Sequence, residues 1–235
     1  NWEEIESSMK KAIITFLLIL AGFNLLHSQN ENRKSVFVIS SGCSVPYKEF
    51  AWKTMKSQAG FAAPGFNLEV DFMRYTGRYF GLSATTGYAS LFFSKDEYQA
   101  HYDRILNGYG QNVVEAGNYQ VLKGLVGLIL KIPETRHTEA LLILQLGIAR
   151  SVHPDLTVTN SKLGVINSVS KNSDWNPVSN VGLKVNYWLT DKYGIGLNYN
   201  LNLTRPDFYD QTSIEKTFFL PVRYMNINAG LVMKL

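Results

Sequence analysis

Cysteine is almost missing from this chain: of 235 residues, only Cys43 carries a thiol. One cysteine cannot close an internal disulfide, so no disulfide framework holds the fold. Nor is Cys43 placed to carry a lipid anchor. Ser40 stands three places before it where a leucine-type residue is needed, and the polar Glu31-Asn32-Arg33-Lys34 separates it from the apolar run near the N-terminus. Charge is sparse as well, at 18% of residues with a net of +4. No basic run, recognition-helix pattern or stacking motif accompanies that mild basicity, so no nucleic-acid partner is expected. The four histidines (27, 101, 137 and 153) are scattered without metal-ligand spacing, and no metal site is assigned. Gly194-Ile-Gly196 lacks the third glycine of a phosphate-cradling loop, and no cofactor is expected.

What is present begins with Lys10-Lys11, the apolar run Ala12 to Leu26, and then Leu26-His27-Ser28. Two cations, an apolar core and a short polar exit form the layout of a secretory signal peptide, too short and too interrupted for a spanning helix. Cleavage is placed after Ser28, which makes 9–28 the signal peptide and 29–235 the mature domain. Residues 1–8 are acidic and precede Met9, so they are expected to be a non-native upstream extension.

Beyond residue 30 no stretch is long and apolar enough for a transmembrane helix, and mean hydropathy is near zero at −0.08. Period-two alternation recurs instead. Met225, Ile227, Ala229, Leu231, Met233 and Leu235 share one face, with Asn226, Asn228, Gly230, Val232 and Lys234 on the other. Ile195, Leu197, Tyr199, Leu201 and Leu203 alternate with Gly194, Gly196, Asn198, Asn200 and Asn202 in the same way. Such a strand has two different faces. In a soluble sandwich its apolar face packs inward, and in a membrane barrel that face meets lipid.

Connector lengths separate the two. Eight strands are expected, at about 36–45, 66–75, 79–93, 119–132, 138–150, 179–190, 194–204 and 218–235. Long connectors at 46–65, 94–118, 151–178 and 205–217 alternate strictly with short ones at 76–78, 133–137 and 191–193. Short turns at one end, long loops at the other and an even strand count describe an antiparallel transmembrane β-barrel of the outer membrane.

The closing segment Asn228-Ala-Gly-Leu-Val-Met-Lys-Leu235 resembles the C-terminal signal read by the barrel-assembly machinery. Asn228, Gly230, Met233 and Leu235 carry the likeness, although the usual final residue is aromatic. With the signal peptide and the hairpin rhythm, the chain resembles the small outer-membrane barrels, especially the β-barrel domain family common in Bacteroidetes that includes PorT-like and OmpX-like proteins. The resemblance implies outer-membrane lipids and the assembly machinery as partners, an envelope protein as a further one, and a structural or interaction role tied to secretion or adhesion.

Alternation turns Glu69 and Asp71 inward on the second strand, Lys123 on the fourth and Lys184 on the sixth. Opposite charges in a narrow lumen should pair, because an unpaired buried charge is costly. Glu69 and Asp71 are therefore expected to meet Lys123 or Lys184, as a polar core in preference to an ion gate. Tyr75, Tyr79, Phe80 and Tyr193 at the short turns, and Phe92, Phe93, Phe208, Tyr209, Phe218 and Phe219 near the long loops, are read as two interfacial girdles. In the loops, Trp52, Tyr98, Tyr102 and Trp175 are candidates for binding a partner or surface lipid. Ser151-Val-His153-Pro-Asp155 and His101-Tyr102-Asp103 hold the residue types of a nucleophile, base and orienter. Side chains in a row along a loop do not converge as catalysis requires, so no catalytic residue is assigned and no enzyme is expected. A narrow solute channel is the alternative function, with a lipid-modifying enzyme third.

Overall fold

A computed structural model describes residues 35–55, 59–132, 135, 137–210 and 216–235, without the side chains of 209–210 and 216–219. The signal peptide at 9–28, the extension at 1–8 and the side chains of Tyr209, Phe218 and Phe219 lie outside these described residues. In chain order the elements are β1 (Ser35–Pro46), β2 (Ala62–Tyr75), β3 (Phe80–Phe93), helix α1 (Lys95–Ile105), β4 (Asn112–Ala116), β5 (Tyr119–Ile132) and β6 (Thr138–His153). They continue with β7 (Leu156–Asn160), β8 (Gly164–Val169), β9 (Asn172–Trp188), β10 (Tyr193–Thr204), β11 (Asp207–Asp210), β12 (Lys216–Phe219) and β13 (Val222–Lys234).

Eight of these strands form a closed antiparallel barrel in the order β1-β13-β10-β9-β6-β5-β3-β2. Each hairpin pairs with its chain neighbour, and β1 meets β13 with Val36 opposite Lys234 and Pro46 opposite Tyr224. Closure leaves no barrel edge, so backbone groups along the wall pair within the protein. The eight expected strands are all present. Three are longer than expected, because β2 starts at Ala62, β6 runs on to His153 and β9 begins at Asn172. Pro177 does not break β9: it lies just beyond the last β9–β10 pair, Val178↔Thr204, where one side of the strand is an edge and a residue without an N–H is tolerated.

The last expected strand, 218–235, needs correction. Pro221 separates it into β13 and the short β12, which folds back on β11 with Asp207 opposite Phe219. The long connectors likewise carry structure that alternation did not reveal. β4, β7 and β8 form a three-stranded sheet, and α1 fills the connector between β3 and β4. Asp96 and Glu97 in its first turn and Arg104 in its last match the helix dipole. Among the described residues no helix is long and apolar enough to cross a membrane.

Two apolar clusters lie at opposite ends of the barrel. Toward the short turns, Val36, Met73, Tyr75, Ile129, Leu141 and Trp188 pack inside the wall. The Lys234 ammonium sits 3.7 Å above the Trp188 ring. Toward the long loops, Phe50, Phe61, Phe93, Tyr98, Tyr119, Val158, Phe208 and Tyr224 join in a second cluster that forms a cap. Phe61 meets Tyr98 edge-on at 4.8 Å and Phe50 meets Tyr119 at 4.9 Å. The Tyr119 hydroxyl donates to the Gly60 carbonyl at 2.7 Å. Asn167 of β8 donates to the Tyr98 and Tyr102 hydroxyls at 3.3 and 3.1 Å, tying the small sheet to α1.

Candidate functional site

Between the two apolar clusters the barrel interior is polar. Glu69 on β2 is 0% exposed, and both its carboxylate oxygens accept two donors. Lys123 Nζ and Asn226 Nδ2 reach Oε1 at 2.6 and 2.7 Å. Asn200 and Asn228 Nδ2 reach Oε2 at 2.8 and 3.0 Å. Lys123 also donates to Asn202 Oδ1 at 2.6 Å. A second ion pair lies beside the first, with Lys184 Nζ 2.6 Å from Asp71 Oδ2 and the Thr85 hydroxyl donating to Oδ1 at 2.6 Å. Gln145 carries the network onward, donating to Thr85 at 2.7 Å and accepting from Asn180 at 2.7 Å. Ser44 closes it on β1 by donating to Asn226 Oδ1 at 2.7 Å. All eight barrel strands contribute a side chain.

The register explains why these groups meet. Glu69, Gly87 and Lys123 are cross-strand neighbours in one row, Glu69↔Gly87 and Gly87↔Lys123. The missing side chain at Gly87 leaves the space through which Lys123 reaches across β3. A Cβ there would lie 3.0 Å from Lys123 Cε and 3.1 Å from Glu69 Cγ. The structure thus brings Glu69 to Lys123 and Asp71 to Lys184. The asparagine donors were not anticipated. Asn228, read from sequence only as part of the assembly signal, is one of Glu69's four partners.

The outer wall is the inverse of the interior. Leu231 is 72% exposed, Leu146 69% and Leu197 65%, and Ile39, Phe72, Leu128, Leu183 and Ile227 stand out beside them. A wall with this much exposed apolar surface around a buried polar interior is stable only where lipid replaces water. This is a membrane-spanning barrel.

The barrel's architecture is of the outer-membrane type, with an even strand count, three short turns and long loops at the opposite end. No family model and no curated protein matches the chain. Among solved structures it is similar to Neisserial surface protein A, at 13% identity over 87% of this chain and 100% of that one, with a TM-score of 0.47. It is similar also to the attachment invasion locus protein Ail of Yersinia pestis, at 12% identity over 88% and 100%, TM-score 0.44. A major outer membrane protein of Thermus thermophilus matches at 11% identity over 86% and 99%, TM-score 0.47.

The other sequence-assigned residues fall at several places. Tyr79, Phe80 and Tyr193 face outward at the short-turn end, joined by Tyr187, as a girdle residue should. Tyr75 does not, since it turns inward into the lower apolar cluster. At the other end Phe92 faces outward, whereas Phe93 and Phe208 are buried in the cap. Trp52 is exposed on a loop. Tyr98 is not available for binding, because it packs on Phe61 and Phe93 in the cap, and Tyr102 is partly buried beside it. Trp175 belongs to no loop: it stands outward on β9, opposite Arg150 on β6, at the upper border of the apolar belt. Met233 lies on the outward face of β13, and Leu235, just past its end, is exposed and donates its N–H to the Ser35 carbonyl at 2.9 Å.

His153 sits above the belt, where β6 has passed Arg150 and entered the cap. Its ring lies 5.3 Å from Tyr119 and 5.4 Å from Phe208, and Nδ1–H donates to the Pro154 carbonyl at 2.8 Å. Burial pushes this imidazole down from 6.5 to about 4, which keeps it neutral. Asp155 is exposed while Ser151 and His153 are buried. Asp103 accepts from Asn112 Nδ2 at 2.7 Å. Among the described residues no group of three His, Cys, Asp or Glu is arranged to hold a metal.

Proposed function

We propose that this protein is a non-enzymatic outer-membrane barrel that presents its cap to a protein partner at the cell envelope. The carrying observation is the filled lumen. Glu69 and Asp71 have their charges matched and their oxygens occupied, between two apolar clusters, which leaves the interior a fastener and not a conduit. The cap has its own apolar core, so its outer surface is held in shape and suits recognition. Val165 on β8 and Tyr109 beyond α1 are exposed on it. Outer-membrane lipids surround the wall, and the barrel-assembly machinery reads the closing strand through Met233 and Leu235. Kinship with the PorT-like barrels of Bacteroidetes is the finer form of this reading, and it directs the search toward secretion or adhesion.

The membrane placement is tested by comparing the mobility of boiled and unboiled protein from purified outer membranes. A heat-dependent shift is expected, and recovery in the soluble periplasmic fraction overturns the placement. The interaction role is tested by photo-crosslinking from Val165 and Tyr109 in cells. A discrete protein adduct from the cap, absent from probes on the wall, is expected. Stepwise conductance in planar bilayers with no adduct would replace this reading with a channel.

A further inference from the structure

On the outer wall, where the apolar belt meets the long-loop end, a groove of about 680 Å³ lies over β6, β9, β10 and β13. Register places its lining in one row: Leu146 faces Ser179, Ser179 faces Leu203, Leu203 faces Arg223, and the Tyr47 N–H donates to the Arg223 carbonyl at 3.1 Å. Leu146 and Leu203 make this row largely apolar, continuous with the lipid-facing wall, and Pro177 lies one step nearer the long loops. Arg223 ends the row, and Lys48 and Arg205 lie just beyond it toward the long loops, making that rim cationic. Glu49 Oε2 accepts from Arg223 Nη1 at 2.8 Å, which sets one carboxylate against the positive charge of the rim. Lys48 holds a left-handed backbone at φ 52°, where glycine or asparagine is the commoner residue, and its ammonium lies 6.0 Å from the Tyr47 ring.

We infer that this groove binds a lipid with a phosphorylated headgroup, seated in the leaflet at the long-loop end. The acyl chain lies along Leu146 and Leu203, and the phosphate is held by Lys48, Arg205 and Arg223. Charge and height together select this occupant. An anion above and hydrocarbon below coincide only at a lipid's headgroup boundary, and Trp175 marks that level on the same wall. Guanidinium groups suit phosphate because their planar forks donate two parallel hydrogen bonds. A smaller groove higher on the β6–β9 ladder carries Arg150 and Lys171 and serves as an internal comparison.

The inference rests on the membrane reading, so binding is scored only on protein that shows the heat-dependent mobility shift. The folded barrel in detergent is titrated with lipid A carrying its phosphates, with the same lipid dephosphorylated, and with phosphatidylglycerol, and bound lipid is counted by native mass spectrometry. Phosphorylated lipid A is expected to be retained. Lys48→Ala with Arg205→Ala is expected to weaken it about fivefold per cation removed. Arg150→Ala with Lys171→Ala should leave it within about twofold of the parent. Phosphatidylglycerol bound with the same sensitivity to Lys48 and Arg205 supports the site and widens its lipid class. Equal retention of the dephosphorylated lipid overturns the inference, as does full competition by inorganic phosphate or an unchanged Lys48/Arg205 double variant. Loss of the heat shift in the parent protein instead removes the membrane reading itself.

Discussion

Lys123→Met is the sharpest probe of the lumen. Methionine keeps most of the aliphatic stem and removes the ammonium that lies 2.6 Å from Glu69 Oε1. Glu69 then keeps three asparagine amides but no counter-charge on its side of the lumen, and Asn202 Oδ1 loses its 2.6 Å donor. At an effective dielectric of about 20 the pair's gross attraction is about 6 kcal/mol, much of it offset by the desolvation that both ions have already undergone. Breaking such a pair from one side costs about 3–5 kcal/mol, because a charge is left buried without its partner. Glu69→Gln with Lys123→Met removes both charges and leaves a neutral amide among the same asparagines. The double variant should recover much of the loss, with a coupling energy of about 2–3 kcal/mol. Urea titration of the refolded barrel, followed by the fraction that resists SDS before heating, measures each term. A single-variant cost below about 1 kcal/mol, or losses that simply add, would refute the view that this pair is a closed, charge-matched core.

Gly87→Val pushes a branched side chain between Lys123 Cε and Glu69 Cγ and should cost about 1–3 kcal/mol in the same titration, with Gly87→Ala costing less. The cap should loosen in acid. His153 is held neutral with its value lowered from 6.5 to about 4, so the unfolded cap binds the proton first and stability falls as pH drops through this window. The loss grows to about 3 kcal/mol and is complete only below pH 4, read as faster protease cleavage within the cap, and His153→Gln should flatten that dependence. Leu235→Asp places a charge just past the end of β13 at the short-turn border and should weaken assembly in cells by up to about fivefold, matching the ~1 kcal/mol upper cost of a charge near the interface, seen as accumulation of the unfolded band.

Much of the barrel was readable because two signals agree along most of its length. Alternation in β10 and β13 separates Leu197 and Ile227 from Asn198 and Asn226, and the short connectors recur with an even rhythm. Burial then requires the inward carboxylates of β2 to find cations. The asparagine donors were harder to assign, since Asn200, Asn202 and Asn226 on a polar face carry no sign of which strand they will meet across a closed lumen. The cap was missed for a different reason. Its units are short, and their core forms only when Phe50, Tyr98, Val158 and Phe208 arrive from four separate connectors. Ser94-Lys-Asp-Glu97 carries a capping-box pattern, and Tyr98 and Tyr102 share a helix face, so α1 left a local trace. The alternation that marks β9 is clear only from Val181 onward, so the sequence places Trp175 in a connector, whereas β9 begins at Asn172.

The donors that saturate Glu69 lie far along the chain: Lys123 is 54 residues away, Asn200 131, Asn226 157 and Asn228 159. A chain emerging from its N-terminus therefore makes β2 long before anything can neutralise it, and the last two amides come from the strand that also meets β1. An open sheet lacking β13 would hold a half-partnered carboxylate on one face and bare hydrogen-bonding edges on both sides. Such an intermediate is excluded from the hydrocarbon by the same polarity that later locks the finished wall. Because β13 supplies two of the four donors and also closes on β1, the charge-matched core is complete only once the last strand is in place. Glu69 is thus fully partnered only in the finished barrel, and the same carboxylate that fastens the closed wall is an unmet charge in a half-built one.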